Sequence, residues 1–547
     1  MDSPSEKEVK ENKLKKVSTT ESYTFQNQKG WRRWRILRPG RGMYHDVKRR
    51  LPYYWSDITD AFTYRVFAST VRMYFINVLP AIAFTLDMYR RTGGFFGINE
   101  ALFASALAAM VFSILSCQPL TIVGVTGLIA LFNYTIYDII EMHDPAIYPA
   151  FTAWVGIWAA IFHWIVSFGN YCDYMAYVTD FSSESFGMYV GIIYCVKGVE
   201  ELVYLFEVSG FEGGYLSIVI AMLFFGSVYG LEKIGGSTVW KPWIRGILAD
   251  YSFVFPTLFW VGFSHFPGRL RRTEQYRVPT VGAFEPTQDR NWVIDFWNLD
   301  VKWVFVAVPF GFLMMLLFYY DHTRLKVVET VDGDEIRHPE VEATAVVEQR
   351  VSHFLMGMAI WGTMTGPLLT VLSTMPAAVF AGVFFVVGWG SIENNGILAK
   401  FWYLNSEKRF IDPKNPLNAV PRRKIWLYIG LQALGVACTV AISQTIAAIG
   451  FPVLIIALIP LRTFLMPKWF SEHELVALDA LTANNPAVLV SFGGTPAKMK
   501  GLEVDFNETL RASGDAEQGE GYDLARARSR GSRSRSAVRQ RAGSFHI

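Results

Sequence analysis

The chain has 547 residues, 52% of them hydrophobic, and a formal net charge of +3. Its mean hydropathy is +0.24. A chain this apolar is not a soluble globular protein, and repeated windows of about 20 apolar residues mark an α-helical membrane protein. The four cysteines, Cys117, Cys172, Cys195 and Cys438, are scattered through apolar stretches and read as reduced core residues. The nine histidines form no ligand cluster, so neither a metal nor another cofactor is expected, and no hydrolase or redox motif competes.

Residues 1–42 are polar, then basic, and no cleavable signal peptide is visible in them. They form a disordered arm ending in Trp31-Arg32-Arg33-Trp34-Arg35, either an interface anchor or a solvated basic arm. Residues 43–62 read as an amphipathic segment with a break at Pro52, lying along the inner membrane face. Apolar spans follow at 66–86, 101–117, 118–140, 149–168, 186–206, 214–231 and 247–266. A polar, extracytoplasmic loop ends near residue 300, and five more spans follow at 301–320, 354–370, 376–390, 425–442 and 446–466. The two sets occupy residues 63–267 and 301–467, with the loop at 268–300 between them.

Twelve spans put both ends on one side, and Lys241, Arg245, Lys400, Lys408, Arg409 and Arg422 to Lys424 make that side the cytoplasm. Arg90-Arg91 and Arg269 to Arg272 fall outside, against the rule. Residues 468–547 are cytoplasmic: a short acidic surface helix at 471–479, then a disordered Arg/Ser-rich tail. That tail suits anionic lipid better than nucleic acid, so membrane lipid is an expected partner and nucleic acid is not.

Gln118-Pro119-Leu120-Thr121-Ile122-Val123-Gly124-Val125-Thr126-Gly127 interrupts the third span. Non-helical backbone at membrane depth is tolerated where it is buried in protein or lines a cavity. An extended segment feeding a helix that starts near Thr126 would present unpaired N–H groups and a partial positive charge, which is an anion seat. A kinked structural helix is the competing reading. Lys197 lies with Glu200 and Glu201 in the fifth span, the Lys197–Glu201 spacing being that of an i,i+4 structural ion pair, and Asp250 lies in the seventh.

Several ordered motifs carry a resemblance. Pro52-Tyr53-Tyr54-Trp55-Ser56-Asp57-Ile58-Thr59-Asp60-Ala61-Phe62, Leu79-Pro80-Ala81-Ile82-Ala83-Phe84, the Gln118 to Gly127 stretch, Glu348-Gln349-Arg350-Val351 and Met375-Pro376-Ala377-Ala378-Val379 with Gly382 appear in order. Together they resemble the anion-exchanger/bicarbonate-transporter family, most closely its fungal boron (borate) exporters. The resemblance implies an all-α polytopic fold of two inverted seven-span repeats (7+7), split into core and gate domains and usually a homodimer. It also implies a plasma-membrane or vacuolar carrier of borate or a related inorganic anion, with protons as a further partner, and not an enzyme.

The resemblance places the family's acid at the end of the eighth span on Asp321. Without it, Asp321 reads equally as a cytoplasmic helix terminus. Gln118, Thr121, Thr126 and Gly127 are the other expected substrate-binding residues: borate's hydroxyls both donate and accept, which suits such partners. Local backbone bonding inside a helix is the alternative for each threonine. The sequence departs from the family in having Leu128 after Val-Thr-Gly and Cys117 before Gln-Pro-Leu. From Asp321-His322 it passes directly to Leu325 and the connector before Glu348. The ninth span and tenth half-helix are therefore expected to be missing. A borate exporter, a bicarbonate or chloride exchanger, and a non-transporting remnant or scaffold are the readings in competition.

Overall fold

The structure, a computed structural model, describes residues 39–117, 122–171, 178–321, 350–407, 409, 411 and 415–479. The described residues are helical or irregular, with one isolated β-bridge between Arg277 and Pro376. The spans are α3 (Tyr64–Arg91), α4 (Ile98–Leu115), α5 (Gly127–Glu141), α6 (Tyr148–Phe168) and α7 (Asp180–Gly235), preceded by α1 (Arg41–Arg50) and the single turn α2 (Ser56–Thr59). Then come α8 (Pro242–Asp250), α9 (Val254–Ser264), the turn α10 (Arg269–Arg272) and α11 (Val301–Asp321). The last set is α12 (Arg350–Thr363), α13 (Gly366–Ser373), α14 (Ala377–Glu393), α15 (Gly396–Asn405), α16 (Arg422–Ser443), α17 (Phe451–Pro460) and α18 (Glu472–Leu478). Among the described residues, seven stretches are long and apolar enough to cross a membrane, or up to ten if each of three bent helix pairs is one span.

α7 is 56 residues long but is not one rod, because Gly210 adopts φ 68°, ψ −175°. α14 shows what that turn does. Gly191 lies against Ile392 and Gly198 against Phe385, so α14 runs antiparallel to the first limb. Gly382 lies against Ala221, and Lys233 bonds Glu393 at 2.6 Å, so α14 runs parallel to the second. The two limbs are therefore antiparallel to each other, which matches the expectation of separate spans at 186–206 and 214–231. A left-handed residue at the reversal favours glycine.

α14 approaches this hairpin closely because small residues face it. A Cβ on Gly388 would meet the Gly191 carbonyl oxygen and the Cys195 sulfur at 2.8 Å. Small residues that let backbones approach are what membrane helix contacts use. A second packed layer joins α5, α6 and α11 through Phe132, Ile136, Phe151, Val155, Ala307 and Met314. Trp154 Nε1 donates to the Phe296 carbonyl at 2.8 Å, and Trp158 Nε1 to Val304 at 3.0 Å.

The bends have local causes. Pro367 sits in the first turn of α13, which leaves α12 at 78°. Asn395 caps α15 by accepting from Ile397 N at 2.9 Å, and α15 leaves α14 at 60°. The loop at 268–300 is held in place: Glu100 accepts from Thr287 N (2.7 Å), from its hydroxyl (2.6 Å) and from Arg290 (3.2 Å). α18 starts with a Ser471/Glu474 capping box. It is docked rather than free at a surface, since Leu475, Leu478 and Asp479 are buried. Residues 1–38 of the N-terminal arm, the Arg/Ser-rich tail and the 322–349 junction lie outside the described residues.

Candidate functional site

α4 ends at Leu115, and Ser116 (φ −69°, ψ 142°) takes the chain out of the helix. The chain re-enters a helix at Gly127, with Thr126 extended at φ −117°, ψ 148°. The first intrahelical bond runs from Ala130 N to the Thr126 carbonyl at 3.1 Å. The N–H groups of Gly127, Leu128 and Ile129 are thus left without a partner in the helix, as at any helix start. The Thr126 side chain makes no cap bond to them.

The segment is fixed from α3. Asn77 Nδ2 donates to the Val123 carbonyl at 2.7 Å. Asn77 is only 6% exposed, and its Oδ1 has no hydrogen-bond partner. A Cβ on Gly124 would lie 2.5 Å from Asn77 Nδ2 and 2.7 Å from Oδ1, so the amide lies flat against the backbone there. Gly127 is equally confined: a Cβ would fall 2.5 Å from both Phe84 Cε1 and Tyr194 Cε1. Phe84 in turn packs on Tyr194 (5.1 Å between centroids) and Phe384 (5.3 Å). α3, α5, α7 and α14 therefore converge on the helix start. It offers three N–H donors and one buried, unanswered amide oxygen.

Thr126 and Gly127 stand at this point, half-buried. Gln118 and Thr121 lie outside the described residues, and Asp321 is the last residue of α11 with its side chain outside them. Asn77 and Tyr194 were not singled out from the sequence, and Phe84 only as part of the Leu79–Phe84 motif. Asn77 carried a signal, being a polar residue inside an apolar span three positions before Pro80.

The charges at the C-terminal end of α3 and within the first limb of α7 form one cluster. The expected Lys197–Glu201 pair is not what forms. Lys197 binds Glu200 at 2.7 Å and Asp87 at 3.5 Å, whereas Glu201 takes Arg90 at 3.2 Å. Lys197 reaches both i+3 and i+4, and α3 brings a cation and a carboxylate that settle the choice. Arg90 also binds Asp87 at 2.7 Å, and Arg91 lies 3.6 Å from Asp138. These two arginines, exceptions to the charge rule, are paired rather than free. Burial and the neighbouring Tyr204 and Tyr89 push the loop residue Tyr276 up to about 12, so its hydroxyl stays protonated. A groove of about 830 Å³ runs beside the cluster along the first limb of α7, from Arg91 and Tyr204 to Phe385 and Ile392. A cavity of about 150 Å³ lies near Lys233 and Glu393. Neither is lined by Thr126 or Gly127.

A second buried network sits at the start of α7. Lys400 binds Glu184 at 2.8 Å and Gln432 reaches the same oxygen at 3.3 Å. Asp479 accepts from Phe181 N at 2.8 Å and pairs with Arg462 at 2.5 Å. Lys400 was expected among the cytoplasmic basic loop residues, but it lies within α15, and the bend before that helix carries it inward to 8% exposure. Asp250 is half-exposed and 3.6 Å from Arg72.

A multi-pass helical membrane protein whose third span breaks into an extended stretch and a half-helix has the architecture on which secondary transporters are built. The chain belongs to the bicarbonate transporter family: the pattern defining the HCO3- transporter integral membrane domain matches residues 38–215 and 323–483. It is 40% identical to a candidate transporter of Schizosaccharomyces pombe, over 80% of this chain and 96% of that protein. It is 35% identical to Boron transporter 1 of Saccharomyces cerevisiae, over 81% and 86%. Identity to the Band 3 anion transport protein of Rattus norvegicus is 24%, over 81% of this chain and 56% of that one. The chain is accordingly an anion transporter of this family, and its relatives are carriers rather than enzymes.

The S. pombe alignment runs over 501 positions, whereas 80% of 547 residues is about 438. About 60 positions of that alignment therefore have no counterpart here.

Proposed function

We propose that this chain exports borate by secondary active transport across the plasma membrane, seating the anion against the start of α5. The observation that carries the reading is the pairing of free helix N–H groups with the unanswered Asn77 Oδ1. The N–H groups and the helix dipole favour negative charge. A buried acceptor beside them favours an anion that also donates. Tetrahydroxyborate has four hydroxyls for both tasks, bicarbonate has one, and chloride has none. The 35% identity to the yeast boron transporter supports the same choice. Thr126 adds a hydroxyl beside the anion, Gln118 and Thr121 belong to the segment entering it, and Asp321 is the proton-carrying acid. The arrangement we propose has twelve spans with both termini cytoplasmic, assembled as a homodimer.

The shortfall of about 60 positions favours a second reading, a family member that keeps the fold without transport. The test is expression in a boron-sensitive yeast that lacks its own exporter. Borate export predicts lower cell boron and restored growth on boron. Chloride-dependent pH recovery without boron tolerance would identify a bicarbonate or chloride exchanger. Correct surface expression with neither activity would establish the non-transporting form. Sequencing genomic DNA between the codons for His322 and Leu325 shows whether a reading frame for two further spans is spliced away.

A further inference from the structure

Two signature motifs without an assigned role meet where the broken segment begins. Arg350, first residue of α12 and 3% exposed, reaches the C-terminus of α4. Its Nη1 donates to the Ser113 carbonyl at 2.5 Å and its Nη2 to the Ser116 carbonyl at 3.0 Å. Asp57 Oδ2 stands 3.5 Å from Nη2, and the guanidinium lies 4.3 Å from the centroid of the Tyr54 ring. Tyr54 donates to the Ile114 carbonyl at 3.2 Å, and Asp57 is shared with Arg50 at 2.5 Å.

The last carbonyls of a helix have no intrahelical donor and carry the negative end of its dipole. A guanidinium offers fixed, divergent N–H donors that span several of them, which an ammonium does not. Ser116 is the last residue before the break. Its carbonyl position and direction set how the chain leaves α4, and Asn77 holds the chain again at Val123. We propose that Arg350 is a positioning residue for the anion seat. By clamping the end of α4 it fixes where the broken segment departs, and so where the start of α5 points. Asp57 and Tyr54 hold the guanidinium in place. This rests on the reading of the α5 start as the seat, but the clamp itself is measurable without transport.

Cys117, next to Ser116 and half-buried, is the probe. In the full-length chain with Cys172, Cys195 and Cys438 replaced by serine, the rate of maleimide labelling at Cys117 is measured for Arg350→Lys and Arg350→Gln. A parallel set keeps only Cys438, which is exposed, as a control for general loosening. The clamp predicts a rise of about fivefold or more at Cys117 for both variants, with Cys438 unchanged. In cells, Arg350→Lys raises the borate KM at unchanged surface abundance, with Vmax less affected. An unchanged Cys117 rate, or an equal rise at Cys438, overturns the proposal. If neither Arg350 variant folds, Asp57→Asn decides by the same criterion, with a smaller rise expected. A parent chain that moves no borate defeats the transport reading alone, while the labelling still decides the clamp.

Discussion

Replacing Asn77 with leucine separates stability from recognition. Two stability terms oppose each other. The bond from Nδ2 to Val123 is lost, worth about 0.5–1.5 kcal/mol net, and the cost of a buried acceptor without a donor, about 1–3 kcal/mol, disappears. A third term adds to the first: leucine's methyls are bulkier than the amide and press on the backbone at Gly124, so Asn77→Leu should destabilise by about 1–3 kcal/mol, which the assay corrects for by matching surface abundance. Substrate loses a hydrogen bond involving a charged partner, about 1.5–3 kcal/mol. At about 1.4 kcal/mol per tenfold, the borate KM rises roughly 10- to 140-fold. The assay is boron efflux from the boron-sensitive yeast at matched surface abundance, with chloride exchange measured in parallel. Chloride has no hydroxyl to give Oδ1 and is affected less. A borate KM within twofold of the parent, or an equal loss for chloride, would refute the argument.

Gly127→Ala drives a methyl into Phe84 and Tyr194, each 2.5 Å away. It should cost about 1–3 kcal/mol and displace the helix start, seen as a lower Tm and reduced efflux per molecule at the surface. Thr126→Ala should leave Tm unchanged, although cap replacements usually cost about 1 kcal/mol, because Thr126 makes no cap bond. Its effect appears instead as a roughly two- to tenfold rise in borate KM. Asp321→Ala should abolish boron efflux with surface expression intact, and undiminished efflux removes that residue from the site. Lys400→Met strands Glu184 in a buried position and should destabilise by about 3–5 kcal/mol. Adding Glu184→Gln recovers part of that loss on thermal denaturation, and no recovery would show that the pair is not coupled.

The apolar windows located most spans because membrane helices must satisfy their backbones internally, which makes length and hydropathy sufficient. The hairpin inside α7 was legible in the acidic stretch from Glu207 to Glu212 between the apolar windows at 186–206 and 214–231, while the role of Gly210 appeared only in its backbone angles. The break before Thr126 was legible because Pro119, Gly124 and Gly127 are poor helix residues at membrane depth. What escaped depended on partners distant in sequence. Asn77 acquires its meaning only when Val123, 46 residues on, packs against it. Lys197 and Glu201 fit a helical pairing rule, but α3 supplied Asp87 and Arg90 and redirected both. Lys400 looked like a loop cation until the bend at Asn394-Asn395 turned it onto Glu184. Arg350 and Asp57 were noticed as parts of motifs, yet their shared task at the end of α4 exists only in three dimensions.

The central claim is that main-chain hydrogens at the start of α5 hold a hydroxylated anion. Labelling threonine carbonyls with 13C and glycine nitrogens with 15N selects the three Thr-Gly amides of the sequence, Gly93, Gly127 and Gly366. Titrating the full-length protein with borate should move the Gly127 resonance in a saturable way, leave Gly93 and Gly366 in place, and be reproduced only weakly by chloride. A Gly127 resonance that stays fixed while borate is raised to saturating concentration would contradict the account.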